Sequence, residues 1–388
     1  MRRKNAQGTS RYIVGDIQRF DQKNEMFKRP LWDENLMELG KQFYGLQNPN
    51  EERSGYDLLS QAFKNASYYV DICFAHGMFG GRYGLYAWES KPWGENPQPK
   101  GIKADGNNPE FMSNVLKKAA RFYGASLVGI TQLDRRWLYS HHYYPKLSGF
   151  TEQIQPVELP EHCKYVIVLA YAGDYKTYKY SPDYISGAAV GKGYSDMAYT
   201  AGLVSQFIRL LGYEAIPMGN DTALSIPYAI DAGLGELGRN GILITPEYGP
   251  RVRLNKIFTD LPLAIDTPID FGVWDFCKSC AKCARYCPGQ AIPKGEATTQ
   301  IHDISNRKGL MRWPVDAKRC FSFWARNGTA CSNCIRSCPF NKPGNFLHTA
   351  VRSTVRHIPQ LNSLWLWADD FFGYGKKKKS QYLVTRGP

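Results

Sequence analysis

CKSCAKCARYCP, residues 277–288, decides how this chain is read. It sets Cys277, Cys280, Cys283 and Cys287 at the spacing C-x2-C-x2-C-x3-C, followed by Pro288. Three thiolates that close together wrap one face of an iron–sulfur cubane, and the fourth reaches a second cluster. A partner run follows at 320–339, CFSFWARNGTACSNCIRSCP. It keeps the C-x2-C-x3-C-P ending but stretches the first gap, from Cys320 to Cys331. Exchanging the fourth ligands gives Cys277, Cys280, Cys283 and Cys338 to one [4Fe–4S] cluster, and Cys287, Cys320, Cys331 and Cys334 to the other. Zinc sites are the alternative, but they show paired C-x2-C motifs without a trailing proline.

Moving outward, the chain has ten cysteines in 388 residues, and crowding of this kind points to metal ligation and not to a disulfide framework. Cys73 and Cys163 lie outside the two runs and read as small buried hydrophobes. A hydrophobic share of 43% supports a globular chain with a sizeable core. The longest apolar run, Tyr165–Ala172, is too short to span a membrane. The start, Met1-Arg2-Arg3-Lys4, is basic but lacks the apolar stretch of a signal peptide. A net charge of +14 suits an acidic partner, nucleic acid or anionic membrane surface, and equally a solubilising surface. Lys376–Lys379 reads as a solvated tail.

Residues 1–110 look irregular. Met112, Val115, Leu116, Ala119 and Phe122 fall at helical spacing within Phe111–Tyr123. Lys164–Tyr171 reads as a buried strand. Gly187–Gly193 reads as a glycine-rich loop, with Ser195 or Asp196 capping a helix whose apolar face is Ala201, Val204, Ile208 and Leu211. Short strands are expected at Tyr213–Ile216 and Ile242–Thr245. Alternating helices and strands predict an α/β or α+β core before the cysteines.

Two clusters make an electron wire, and a wire needs a terminus. The segment AGLGELG at 232–238 contains G-x-G-x-x-G, but no strand runs into it and no acidic residue follows at the right distance for dinucleotide binding. A Walker-type phosphate loop is missing, as is D-x-H-x-x-G, the signature of a histidine that ligates corrinoid cobalt. The residues alone leave the acceptor as a cofactor or substrate held by the α/β core.

At this point the chain resembles the corrinoid-dependent reductive dehalogenases of organohalide-respiring bacteria. The segments that carry the resemblance are QFIRLLGYEAIP at 206–217, AGLGELGRNG at 232–241, ITPEYGPRVRL at 244–254, PIDFG at 268–272, and Asp369-Asp370 with FGYG at 372–375. The long gap after Cys320 is shared with respiratory members. The likeness runs from about Asn114 to Gly375 and is weak before residue 110.

The resemblance implies an α+β fold with four parts. An N-terminal unit covers 1–110. A nitroreductase-like corrinoid-binding core covers 111–268, and a bacterial-ferredoxin-like domain with two [4Fe–4S] clusters covers 269–348. A tail at 349–388 packs on the core. It implies a base-off cobamide with no protein ligand to cobalt, which agrees with the missing histidine motif. It assigns Tyr194, Asn220 and Arg253 to catalysis, Trp324 to the wall of the halide pocket, and Gly238, Arg239, Thr245 and Pro246 to cobamide contact. The implied reaction replaces a carbon-bound halogen with hydrogen, using a cob(I)amide fed by the clusters. A phenol, with an ordinary pKa of about 10, stays protonated and can donate at neutral pH. A guanidinium beside it stabilises the phenolate left behind without titrating itself.

Implied partners are a small organohalide, a small membrane-anchor protein and an upstream donor in a respiratory chain. Nucleic acid is not expected, and a homodimer is admitted. The implied location is the outer face of the cytoplasmic membrane after twin-arginine export of a longer precursor, or the cytoplasm if no signal was removed. Which halocarbon is taken would be set by N-terminal aromatics such as Phe79 or Trp88. One rival reading is an epoxyqueuosine reductase, whose tRNA substrate would suit the basic charge. Its second cysteine motif has a much longer first gap, and it carries a helical-repeat C-terminal region. The other rival is a plain iron–sulfur electron carrier, which leaves Tyr194, Asn220 and Arg253 without a role.

Overall fold

A computed structural model of the chain describes residues 6–45, 47–75, 84–89, 102–145, 152–378 and 382–383. Phe79 lies outside these residues. At its centre is a four-stranded sheet of β1 (Leu127–Gln132), β2 (Tyr165–Ala172), β3 (Ala215–Met218) and β4 (Val252–Thr259), in the order β1-β2-β4-β3. All three pairings are antiparallel, with Tyr171 opposite Arg253 and Val168 opposite Lys256.

Strand β2 is apolar at every position because it is covered on both sides. Side chains alternate across a strand. Val166, Val168 and Ala170 enter one core, while Ile167, Leu169 and Tyr171 enter the other. The second core is closed by helix α3 (Pro109–Phe122) and the long helix α4 (Tyr184–Leu210), which contributes Met197, Val204 and Ile208. Asn108 caps α3 by accepting from the Phe111 N–H at 2.9 Å, and Pro109 sits where a missing N–H does no harm. Truncating a side chain such as Leu169, fully buried in that layer, to alanine costs about 2–5 kcal/mol.

The first core holds Phe258 and Tyr228 together with Cys277, Cys280, Cys338, Phe340 and Val355. The cysteine segment therefore shares one apolar layer with the sheet. Before the sheet lie α1 (Met37–Tyr44), packed near α6 (Ala317–Asn327), and α2 (Leu58–Ser67), packed along α4. Helix α5 (Val273–Cys280) carries the first cysteine pair. The tail forms α7 (Phe346–His357) and α8 (Asn362–Phe371). These lie beside the first cysteine run, where Lys282 pairs with Asp369 and with Asp370 at 2.7 Å.

Four expectations change. Gly187–Gly193 is not a loop but the second and third turns of α4, whose cap is Asp183, accepting from the Ser186 N–H at 3.2 Å, and not Ser195 or Asp196. The strand expected at 242–245 is only Leu243–Ile244, paired with Glu236–Leu237 outside the main sheet. The central strand β4 and the edge strand β1 were not foreseen. Cys163 is buried as expected, but Cys73 is exposed. The G-x-G-x-x-G segment follows a helix, Ser225–Asp231, as its failure as a dinucleotide loop requires. No helix among the described residues is long and apolar enough to cross a membrane.

Candidate active site

Three elements bring Tyr194, Asn220 and Arg253 together. Tyr194 lies one residue past Gly193 on α4, Asn220 follows the end of β3, and Arg253 is the second residue of β4. The Asn220 Nδ2 donates to the Tyr194 Oη at 3.3 Å, and the Arg253 Cζ sits 5.5 Å from the centre of the Tyr194 ring. The glycines make this approach possible. A Cβ on Gly193 would stand 2.7 Å from the Arg253 Cγ, and one on Gly191 would stand 2.4 Å from the Tyr68 ring. A helix-interior glycine costs about 1 kcal/mol relative to alanine, so these positions are kept for contact and not for helicity.

Two further tyrosines complete the setting. Tyr68 lies nearly parallel to Tyr194, with ring centres 6.1 Å apart, and Tyr178 is fully buried, its hydroxyl without a hydrogen-bond partner among the described residues. Burial opposes the Arg253 charge, but the phenol oxygens of Tyr178, Tyr194 and Tyr68 outweigh it and hold the guanidinium above its ordinary pKa. The Arg253 Nε has no hydrogen-bond partner among the described residues. Tyr194 is half-buried and Asn220 exposed, so the amide–phenol pair faces outward with a cation behind it. An open polar pair backed by an unsatisfied guanidinium N–H fits a bound cofactor and substrate on that face. Tyr68 and Tyr178 escaped the sequence reading. Their signal is the glycine pattern in α4, which reads as a loop when only local propensity is weighed.

The eight cysteines fall into two groups. Cys277, Cys280, Cys283 and Cys338 line one cavity with Phe276, Pro339 and Phe340. Cys287, Cys320, Cys331 and Cys334 lie close enough for their thiol charges to act on one another. Burial pushes Cys277 and Cys320 up to about 12, and Cys280 and Cys331 to about 11. Buried thiols of this kind become thiolates only against a cation, which iron supplies. Backbone N–H groups already point at sulfur, from Arg239 to Cys277 at 3.5 Å and from Ala291 to Cys287 at 3.3 Å. Both groups therefore fit cubanes. Cys334 and Tyr194 pack on the same small apolar cluster of Tyr178, Ala189, Val190 and Ile335, so the second group is the one beside Tyr194.

Other expected contacts stand elsewhere. Arg239 is buried, and its five guanidinium hydrogens go to the carbonyls of Cys277, Lys278, Pro293 and Gly295. It ties the core to the cysteine segment and has no donor left for a cobamide. Thr245 is fully buried; its hydroxyl donates to the Gly249 carbonyl at 3.3 Å and accepts from the Tyr248 N–H at 3.0 Å, closing a tight loop that includes Pro246. The Gly238 N–H bonds the Ile242 carbonyl inside its own turn. Trp324 is half-buried on α6 and packs against Phe27 and Phe43, with ring centres at 5.7 and 6.4 Å. Trp88 is half-buried against the first core.

An antiparallel sheet covered on both faces, joined through one core to eight clustered cysteines, defines a mixed α+β iron–sulfur protein. Residues 276–341 match the family described as a 4Fe-4S double cluster binding domain. A tetrachloroethene reductive dehalogenase of Desulfitobacterium hafniense is 40% identical over 325 residues, covering 75% of this chain and 59% of the relative. That of Sulfurospirillum multivorans is 34% identical over 356 residues, covering 86% of this chain and 70% of the relative. A solved reductive dehalogenase, reported with a mechanism for B12-dependent dehalogenation, superimposes with a TM-score of 0.71 at 25% identity over 94% of this chain and 48% of that one. The chain belongs to the reductive dehalogenase family. It spans about 59% of the length of the Desulfitobacterium relative it matches. The structural likeness reaches well into the first 110 residues, where the sequence resemblance had been weak.

Proposed function

We propose that this chain is a reductive dehalogenase carrying a cobamide and two [4Fe–4S] clusters. The overall change is R–X plus two electrons and one proton, giving R–H and halide. The observation that carries the reading is the meeting of Tyr194, Asn220 and Arg253 on one open face beside the cluster thiol Cys334. The cobamide, when bound on that face, supplies reducing electrons to the carbon–halogen bond.

The chain's own residues do the rest. Tyr194 holds the proton destined for carbon at its Oη. Asn220 orients that oxygen, and Arg253 stabilises the charge left on it once the proton has gone. Trp324, with Phe27 and Phe43, offers an aromatic wall that excludes water and suits a halocarbon. Relatives named for tetrachloroethene make chlorinated ethenes the first substrates to test. An anaerobic assay with reduced viologen, reading halide release from chlorinated ethenes, haloalkanes and haloaromatics, tests the proposal. Chloride release that depends on cobalt occupancy is the expected result. Fully loaded protein that is inert across the panel would overturn it.

The same reading makes the protein a terminal reductase of organohalide respiration. It would work at the outer face of the cytoplasmic membrane beside a small anchor protein. The family resemblance supports that role.

A further inference from the structure

Helix α8 buries one face and exposes another, which is apolar. Asn362, Leu366 and Asp369 point inward, at i, i+4 and i+7, and Asp369 is buried between Lys282 and Lys342. Leu364, Trp367 and Phe371, at i, i+3 and i+7, point outward and are 48%, 61% and 67% exposed. Phe372 beyond them is 71% exposed, and Phe346 at the start of α7 is 89% exposed. The two ends are held together by a bond between the His348 Nε2 and the Tyr374 Oη at 3.1 Å. Trp367 and Phe371 stack with ring centres 5.1 Å apart. Exposed aromatics gathered in this way mark an interaction surface.

The surface lies over a cluster site. Trp365 and Asp369 of α8 line one cavity with Phe276, Pro339 and Phe340, and those three residues also line the cavity of Cys277, Cys280, Cys283 and Cys338. Helix α8 and one side-chain layer therefore lie between the aromatic face and the cluster remote from Tyr194. The rim is basic. Between 352 and 378 stand Arg352, Arg356, Lys376, Lys377 and Lys378 against Asp369 and Asp370. Both carboxylates are already paired, Asp369 by lysines and Asp370 by Lys282 at 2.7 Å and Arg285 at 3.7 Å. Lys376, Lys377 and Lys378 remain exposed.

From this we infer that the outer face of α8, with its lysine rim, is the docking site of an acidic one-electron carrier protein. Resting on the reading of the chain as a two-cluster reductase, it makes the Cys277, Cys280, Cys283, Cys338 cluster the point of electron entry. The step moves a single electron. The carrier is oxidised by one, the cluster is reduced by one, and no bond or proton changes place. Aromatic contact holds the carrier, and the lysines steer it in.

Flavodoxin hydroquinone, an acidic protein that turns blue on losing one electron, is the probe, mixed with cluster-loaded holoenzyme without organohalide. No dehalogenation is read, so the outcome is independent of the substrate proposal. Two variants are compared with the parent: Lys376→Glu/Lys377→Glu/Lys378→Glu and Trp367→Ser/Phe371→Ser. All five side chains are exposed, and iron content checks that the clusters persist. Each variant should take electrons from flavodoxin about tenfold more slowly, with viologen radical reducing it within about twofold of the parent rate. Added salt should slow the parent with flavodoxin and leave the viologen rate unchanged. An unchanged flavodoxin rate in both variants overturns the inference. So does loss of self-association, or of binding to phosphatidylglycerol vesicles, without loss of flavodoxin rate, because the face would then serve a second copy or a lipid surface.

Discussion

At the scale of single residues the proton decides. Tyr194→Phe keeps the ring that stacks on Tyr68 and lies over Arg253, and removes the one transferable hydrogen. Turnover should fall by roughly 10²–10⁴-fold, the usual cost of losing a general acid, with iron and cobalt content unchanged. Activity within about twofold of the parent at equal cobalt occupancy would exclude an obligatory donor, since that is only ~0.4 kcal/mol of barrier. Arg253→Lys keeps the charge but loses the planar fork, so it should be impaired as well. A second residue-scale consequence belongs to the buried charge cluster of Glu25, Lys28, Asp221 and Lys256. Burial pushes the Glu25 carboxyl up to about 7, although Tyr139 donates a hydrogen bond to it and Lys28 and Lys256 lie near. A carboxyl raised in the folded state contributes stability that is full below its unfolded pKa of about 4.5 and is lost as pH rises through 7. The thermal midpoint of the parent should therefore drop relative to Glu25→Gln across that interval. Parallel curves for the two proteins would show that Glu25 titrates normally.

At the scale of elements, α4 carries the heaviest demand, because its glycines must admit both Tyr68 and Arg253. Gly191→Ala should lower the thermal midpoint despite its better helix propensity, since overpacking costs roughly 1–3 kcal/mol and its Cβ would stand 2.4 Å from a ring. Gly202→Ala, in the same helix, meets a flexible Leu85 tip at 3.1 Å and should be neutral or stabilising. Equal midpoints for the two variants would refute the packing argument. The same glycines explain what the sequence hid. A cluster of three within seven residues looks like a loop when only local propensity is read, and the contacts that keep the helix whole come from residues far away in the chain. Strand β4 was hidden for the opposite reason. Arg253, Asn255 and Lys256 interrupt its apolar pattern, yet Asn255 and Lys256 are fully buried. The Lys256 ammonium is satisfied by the Gly219 carbonyl at 2.6 Å and the Ser225 Oγ at 3.0 Å, partners no single-sequence pattern reveals. By contrast β2 was legible because both its faces are apolar. The grouping of the cysteines was legible because cubane geometry fixes the spacing of thiols within a run. Arg239 and Thr245 are assigned to cobamide contact by likeness of motif, and that likeness does not reveal that their side-chain hydrogen bonds are made inside the protein.

At the scale of the whole molecule, the question is how two cysteine runs serve one electron path. Loaded protein should hold about eight iron and one cobalt per chain, from two cubanes and one cobamide. Two zinc ions without iron would overturn the cluster assignment. If each run held its own cluster, Cys338 would belong with Cys331 and Cys334. The structure instead sets Cys338 in the cavity of Cys277, Cys280 and Cys283, 55 residues away in sequence from the nearest of them, Cys283. Cys287 in turn acts on Cys320 and Cys331. We therefore propose that the fourth ligands are exchanged between the runs, which makes the two clusters depend on both segments at once. Cys287→Ala should then remove the paramagnetic resonance signal of the cluster beside Tyr194 and abolish turnover, while the remote cluster still accepts an electron from viologen. Cys338→Ala should remove the remote signal and spare the one that needs Cys331 and Cys334. Comparing each variant with Cys280→Ala and Cys331→Ala assigns the signals without a structure. If Cys338→Ala and Cys331→Ala lose the same signal, the runs are not exchanged, and the path from α8 to Tyr194 would have to be redrawn.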